Sequence, residues 1–205
     1  MKNSLKIMQD YKITLIDFSD SFSYNILSSL HELELKCELI HYSKISNNFI
    51  IKEKNIVILG PGPGHPSDYS NVIGPWLKNW FNDNRFFIVG ICLGHQLILS
   101  EFNFGIKRRI SPRHGQSRKI TIPNWPEFFD KEFQGKILSV QEYNSLFVSP
   151  IIGHNIEIEY YSIEEEIVMA KNEKFISFQF HPESIGTQNS ALYFDFIKRW
   201  LKNGK

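Results

Sequence analysis

The run Gly90-Ile91-Cys92-Leu93-Gly94-His95-Gln96 constrains this chain more than any other stretch. It follows the apolar run FFIVGI (86–91) and opens a stretch of helical character (94–102), so a strand must turn sharply into a helix with a cysteine at the corner. Small residues two before and two after such a corner remove the clashes that the tight turn creates. The turn exposes the sulfur at the carboxyl edge of a sheet, where open α/β sheets place their sites. The following helix aims its positive end at the sulfur, which favours thiolate, and the Leu93 N–H is available to an oxyanion. A free cysteine is commonly a buried packing residue. Cys37 reads that way, lying in CELIHY with no flanking glycine. At Cys92 the elbow spacing points instead to a nucleophile.

The first half of the chain supports this placement. Residues 13–16, 37–42, 55–59 and 86–91 read as strands rich in β-branched and aromatic residues. Helical stretches alternate with them: one capped by Asp20 or Ser21 and running to about 35, one over 72–81, and one over 94–102. That alternation predicts an α/β fold, a single three-layer domain whose mostly parallel central sheet is covered by helices on both faces. The second half reads as strands at 117–122, 156–160, 167–170 and 175–180, closed by a helix over 190–201. One domain over 1–205 is expected, with 1–11 as an N-terminal extension.

Composition removes several classes of function. The 205 residues are 42% apolar, include 17 Phe, and carry a formal net charge of +1 without a basic or acidic block, so nothing marks a nucleic-acid groove. No apolar run approaches the roughly 18 residues of a membrane span. Two cysteines, no signal-peptide pattern and no metal-ligand spacing predict a cytoplasmic protein with no disulfide and no metal.

A cysteine nucleophile needs a base, and the base needs a group to hold it. Among the 7 histidines, His181 stands out in Gln179-Phe180-His181-Pro182-Glu183-Ser184, at the end of the strand-like run FISFQF. Pro182 disfavours helix at His181. In an extended stretch, residues two apart point the same way, so Glu183 can accept the imidazole N–H and hold its tautomer. His31, His41 and His154 have no such neighbour and read as structural or solvated, and His95 as packing within the elbow helix. The rigid run Gly60-Pro61-Gly62-Pro63-Gly64 after the third strand can present the Gly62 N–H to an oxyanion, or be a plain tight turn; it lacks the lysine of a phosphate-binding loop. Gln96, one helical turn after Cys92, could hold the amino-acid end of a small substrate.

Taken together, DFSDSFSYN (17–25), PGPGHPS (61–67), GICLGHQ (90–96), YNSL (143–146) and QFHPES (179–184) resemble the class I, triad-type glutamine amidotransferases. Within these they look most like the small glutaminase subunits that serve chorismate-using synthases, those of anthranilate and aminodeoxychorismate synthesis. The resemblance implies Cys92 as nucleophile, His181 as base and Glu183 as its orienter. It implies an oxyanion hole from the N–H groups of Gly62 and Leu93. It also implies glutamine binding by Gly62, Pro63, Gly64, Gln96, Ser145 and Leu146. The partners implied are L-glutamine and a larger chorismate-binding synthase subunit, near the segments 17–25 and 113–116. No cofactor is expected in this chain, and magnesium only in the synthase.

The sequence departs from the family's usual residues at Asn144, Gln116 and Gly186. Asn144 stands where His is usual before Ser-Leu, Gln116 where Lys follows His-Gly, and Gly186 where a larger apolar residue is frequent. The alternatives are a glutaminase serving another acceptor, a γ-glutamyl cysteine hydrolase, and a non-catalytic regulatory subunit, which the intact triad disfavours.

Overall fold

Alternation along the strands sorts the core into two layers. In β1 (Tyr11–Asp17) Ile13 and Leu15 face one side and Ile16 the other; in β3 (Lys54–Leu59) Ile56 and Ile58 oppose Val57 and Leu59. Side chains in a strand point alternately to its two faces, and apolar residues on both faces require cover on both. One layer is filled by Ile26 and Leu30 of α1 (Ser23–Glu32) and by Phe194, Phe196 and Ile197 of α4 (Leu192–Asn203). The other is filled by Ile73 and Leu77 of α2 (Ser70–Phe81) and by Leu93, Leu97 and Ile98 of α3 (Leu93–Glu101).

The structure, a computed structural model, describes residues 11–45, 54–150 and 157–203. Its central sheet has 7 strands in the order β2-β1-β3-β4-β11-β10-β9. The strands β2 (Glu38–His41), β1, β3, β4 (Phe86–Ile91) and β11 (Phe175–Phe178) run parallel. An antiparallel edge follows, made by β10 (Glu166–Lys171) and β9 (Glu159–Ile163). Two antiparallel ribbons complete the domain: β5 (Gly105–Arg108) with β8 (Leu146–Ser149), and β6 (Gln116–Thr121) with β7 (Ile137–Glu142). Among the described residues no helix is long and apolar enough to cross a membrane.

The expected mostly parallel α/β sheet is present, with changes at the edges of its elements. The expected extension 1–11 lies outside the described residues except for Tyr11, which already belongs to β1. The first helix starts later than its expected cap: Asp20 Oδ1 accepts the Phe22 N–H at 2.8 Å, one residue before the helix begins. It also ends earlier, because Glu34 takes a φ of 59° and the Leu35 N–H returns to the Leu30 carbonyl at 2.9 Å, a left-handed C-terminal closure. The strand expected at 156–160 lies at Glu159–Ile163, with residue 156 outside the described residues. The final strand stops at Phe178 rather than at residue 180. Strands β5, β7 and β8 had no counterpart in the reading of the sequence.

Candidate active site

The carboxyl ends of four neighbouring strands supply the site. β1 leads to Phe18, β3 to the 60–64 loop, β4 to Cys92, and β11 to Gln179 through Glu183. Cys92 sits at the corner with φ 52° and ψ −100°, a conformation few L-residues adopt. It is held there by its N–H to the Phe178 carbonyl at 2.8 Å, and the Gln96 N–H closes the first helical turn on the Cys92 carbonyl at 3.1 Å.

The flanking glycines explain the spacing. A Cβ on Gly94 would run into the Leu59 backbone carbonyl, and one on Gly90 would lie 2.8 Å from the Gly94 carbonyl. The helix therefore presses directly onto β3 and β4, and only glycine permits that approach. Gly62 is equally tight: its Cβ would lie 2.6 Å from Leu93 Cδ2, so the loop packs directly against the Leu93 side chain. The loop around Gly62 is pinned as well. Tyr69 Oη donates to the Pro63 carbonyl at 2.9 Å, and Asp68 Oδ2 accepts the His65 N–H at 2.8 Å.

His181 and Glu183 meet, but not by the expected extended route. The Ser184 N–H bonds to the His181 carbonyl at 3.2 Å, making 181–184 a turn with Pro182 at its second position, where proline's fixed φ suits it. Across that turn His181 Nδ1 donates to Glu183 Oε1 at 2.8 Å, with both side chains almost fully buried. His181 is further fixed by its N–H to the Gln141 carbonyl at 2.9 Å and by the Thr187 hydroxyl on its own carbonyl at 2.7 Å. The rings of Phe22 and Tyr143 pack on its imidazole at 4.8 and 5.1 Å. Its Nε2 is buried with no aligned hydrogen-bond partner among the described residues. Burial lowers the imidazole pKa. The neighbouring Cys92 sulfur, and then Glu183, outweigh burial and hold it well above the ordinary histidine value. The arrangement therefore favours the charged, imidazolium form of His181.

Of the residues expected to hold glutamine, Gln96 and Leu146 are in direct contact. Gln96 is buried, and its amide donates to the Leu146 carbonyl at 3.1 Å and to Gln179 Oε1 at 3.2 Å, so both of its N–H donors are engaged within the protein. The Ser145 carbonyl accepts the Arg109 N–H at 2.9 Å. Asn144 is buried and donates to the Leu146 carbonyl at 2.8 Å. Gly186 leaves the space that Gln141 fills, its Cδ lying 2.6 Å from where a Cβ would be. Gln116 opens β6 opposite Glu142.

His95 is buried between Ser177 Oγ (2.9 Å) and the Ile167 carbonyl (3.1 Å), and burial pushes its pKa down to about 3, so it is a neutral packing residue, as the sequence led us to expect. Cys37 is partly buried against the core, and burial pushes its thiol up to about 12.

Several residues of the site escaped the sequence reading. Phe22, Tyr143 and Gln179 lie inside the quoted segments, yet nothing in their spacing gave them a role. Next to Tyr143 in sequence, Glu142 enters a largely buried ion network: it pairs with Arg113 and Arg118, and Glu166 pairs with Arg118 and Arg109.

The family description "Glutamine amidotransferase class-I" matches residues 14–200. The chain belongs to that family. It is 33% identical over 201 residues to anthranilate synthase component 2 of Cyanidium caldarium, covering 90% of this chain and 97% of that protein. It is 30% identical over 193 residues to the protein of the same name from Saccharolobus solfataricus, covering 90% and 97%. A Schizosaccharomyces pombe protein provisionally named as an aminodeoxychorismate synthase is 31% identical over 199 residues, covering 92% of this chain but only 26% of that longer protein. The fold is similar to that of a Thermotoga maritima glutamine amidotransferase, with a TM-score of 0.65, 15% identity, and coverage of 95% and 82%. It is also similar to a Thermoplasma acidophilum protein provisionally described as belonging to a GMP synthase, with a TM-score of 0.76, 18% identity, and coverage of 95% and 94%.

Proposed function

We propose that this chain is the glutaminase subunit of a chorismate-using amidotransferase, hydrolysing glutamine to glutamate and delivering ammonia to a larger synthase subunit. The observation that carries the glutaminase chemistry is the buried 2.8 Å His181–Glu183 pair beside a cysteine held at positive φ on the strand-to-helix corner. His181 takes the proton of Cys92, and the thiolate attacks the side-chain amide of glutamine. The N–H groups of Gly62 and Leu93 stabilise the tetrahedral oxyanion, an electrostatic contribution of several kcal/mol in comparable sites. His181 returns the proton to departing ammonia. Water, activated by the same imidazole, then cleaves the γ-glutamyl thioester.

Glutamine would be held by Gly62, Pro63 and Gly64 on one side and by Gln96, Ser145 and Leu146 on the other. With both amide donors of Gln96 engaged, its direct contact to substrate would be through its carbonyl oxygen. These steps call on no metal or cofactor in this chain; magnesium belongs with the synthase. We take the complex to be cytoplasmic, in keeping with two cysteines that are both free.

The acceptor reading is supported by the names of relatives matched over nearly their whole length. The product would be anthranilate or 4-amino-4-deoxychorismate. The test mixes this protein with each candidate synthase, chorismate, magnesium and glutamine. Glutamine-dependent product with at least one synthase is expected. Failure with both, while each still works with ammonium, would refute the chorismate assignment.

A further inference from the structure

The buried side chain of Gln179 has no part in the mechanism above, yet it touches the nucleophile. It lies between Phe178 and Phe180, is fully buried, and points its amide nitrogen at Cys92 Sγ at 3.9 Å. A buried amide left unsatisfied is costly, so both ends of this one need partners. The oxygen end has its partner in Gln96, whose Nε2 donates to Gln179 Oε1 at 3.2 Å.

The direction of this chain of amides follows from a fixed point. The Leu146 backbone carbonyl can only accept, and it receives Gln96 Nε2 at 3.1 Å and Asn144 Nδ2 at 2.8 Å. Gln96 must therefore turn its nitrogen toward Leu146. The second N–H of the same nitrogen meets Gln179, so Gln179 must answer with oxygen. That leaves the Gln179 nitrogen, a donor, on the sulfur. No alternative flip of either amide satisfies all of these contacts.

We infer that Gln179 is a positioning residue for the nucleophile: its amide N–H donates to the Cys92 sulfur, and the Leu146–Gln96 chain locks the direction of that donation. A donor aimed at a sulfur favours its charged form over the thiol. It also fixes the sulfur's direction beside His181 without removing it from the path of the substrate. The relay ends on Leu146, in the segment proposed to hold glutamine, so the nucleophile and the substrate cradle share one hydrogen-bonded frame. This inference rests on Cys92 being the nucleophile.

The test measures how fast iodoacetamide, a neutral alkylating agent, modifies Cys92 in the full-length chain from pH 5 to 9, with modification located by peptide mass. Wild type is compared with Gln179→Met, which keeps the volume without the donor, and Gln179→Glu, which presents an acceptor to the sulfur. Gln179→Met should move the midpoint up by about one pH unit, a roughly tenfold slower reaction at any pH below both midpoints, and Gln179→Glu should move it further. In the complex, kcat for glutamine should fall with KM changed less than about twofold. Gln96→Met, which frees Gln179 to flip, should shift the midpoint in the same direction by less, and it decides the matter if the Gln179 variants fail to fold. Unchanged midpoints in variants that melt like wild type would overturn the role of Gln179. If Cys92→Ser leaves glutamine hydrolysis intact, it is the nucleophile assignment that has failed instead.

Discussion

Replacing Glu183 by Gln isolates the contribution of one charge. The carboxylate accepts the His181 Nδ1 proton at 2.8 Å in a pair that is almost fully buried, so solvent screens it little. A hydrogen bond to a charged group contributes about 1.5–3 kcal/mol, which corresponds to a rate loss of roughly 10- to 150-fold. The glutamine side chain is nearly isosteric, so the fold and Cys92 should be retained. The pH dependence has a definite sign. Glu183 is one of the groups that raise the His181 pKa, so its neutralisation lowers that pKa. The imidazolium that returns a proton to ammonia is then lost at lower pH, and the alkaline limb of kcat moves down. The assay is glutamate release by the assembled complex from pH 6 to 10. Because the two residues act as a unit, adding Glu183→Gln to His181→Ala should cost little more than His181→Ala alone. A loss under about threefold for Glu183→Gln, or losses that multiply in the double variant, would refute the reasoning.

Other consequences can be checked on the isolated chain. Gly94→Ala places a methyl group in the Leu59 carbonyl, and since that strand cannot yield, denaturant titration should show a loss of about 3 kcal/mol or more. His95 stays neutral down to about pH 3 in the fold. The unfolded chain protonates it near pH 6.5, so it should contribute a loss of about 1.4 kcal/mol per pH unit as pH falls from about 6 toward 3, absent in a folded His95→Gln variant. Glu142→Ala takes the carboxylate from Arg113 and leaves Arg118 with Glu166 alone, and should cost about 1.5–3 kcal/mol in thermal or denaturant unfolding.

Much of the site was legible because two of its demands fall on local sequence. The corner at Cys92 needs glycine on both sides, and Gly90 and Gly94 supply it two residues before and two after the cysteine. His181 and Glu183 are near enough in sequence to be paired by eye, although a Pro182 turn rather than an extended strand joins them. The missing elements were hidden by chemistry that belongs to three dimensions. β7 alternates in burial, but its inward residue Glu142 is charged and stable only through arginines from outside the strand, so the pattern reads as polar. β5 and β8 are 4 residues each and find their pairing across roughly 40 residues of chain, which leaves no local period to read. Phe22 and Tyr143 become neighbours of His181 only once α1 and β7 are packed together. The direction of the Gln179 amide depends on a carbonyl in a separate segment.

The proposed role of Cys92 as the nucleophile of a glutamine-hydrolysing subunit is tested most directly in a complex reconstituted with the synthase. Cys92→Ser removes the thiolate while keeping the corner and the assembly. Product formation should be measured side by side with glutamine and with ammonium as nitrogen source. Glutamine-dependent synthesis should fall below about one part in a thousand, at the scale of losing a nucleophile, while ammonium-dependent synthesis stays at the wild-type rate. Equal loss of both activities in a correctly assembled complex, or glutamine-dependent synthesis that survives the substitution, would contradict it.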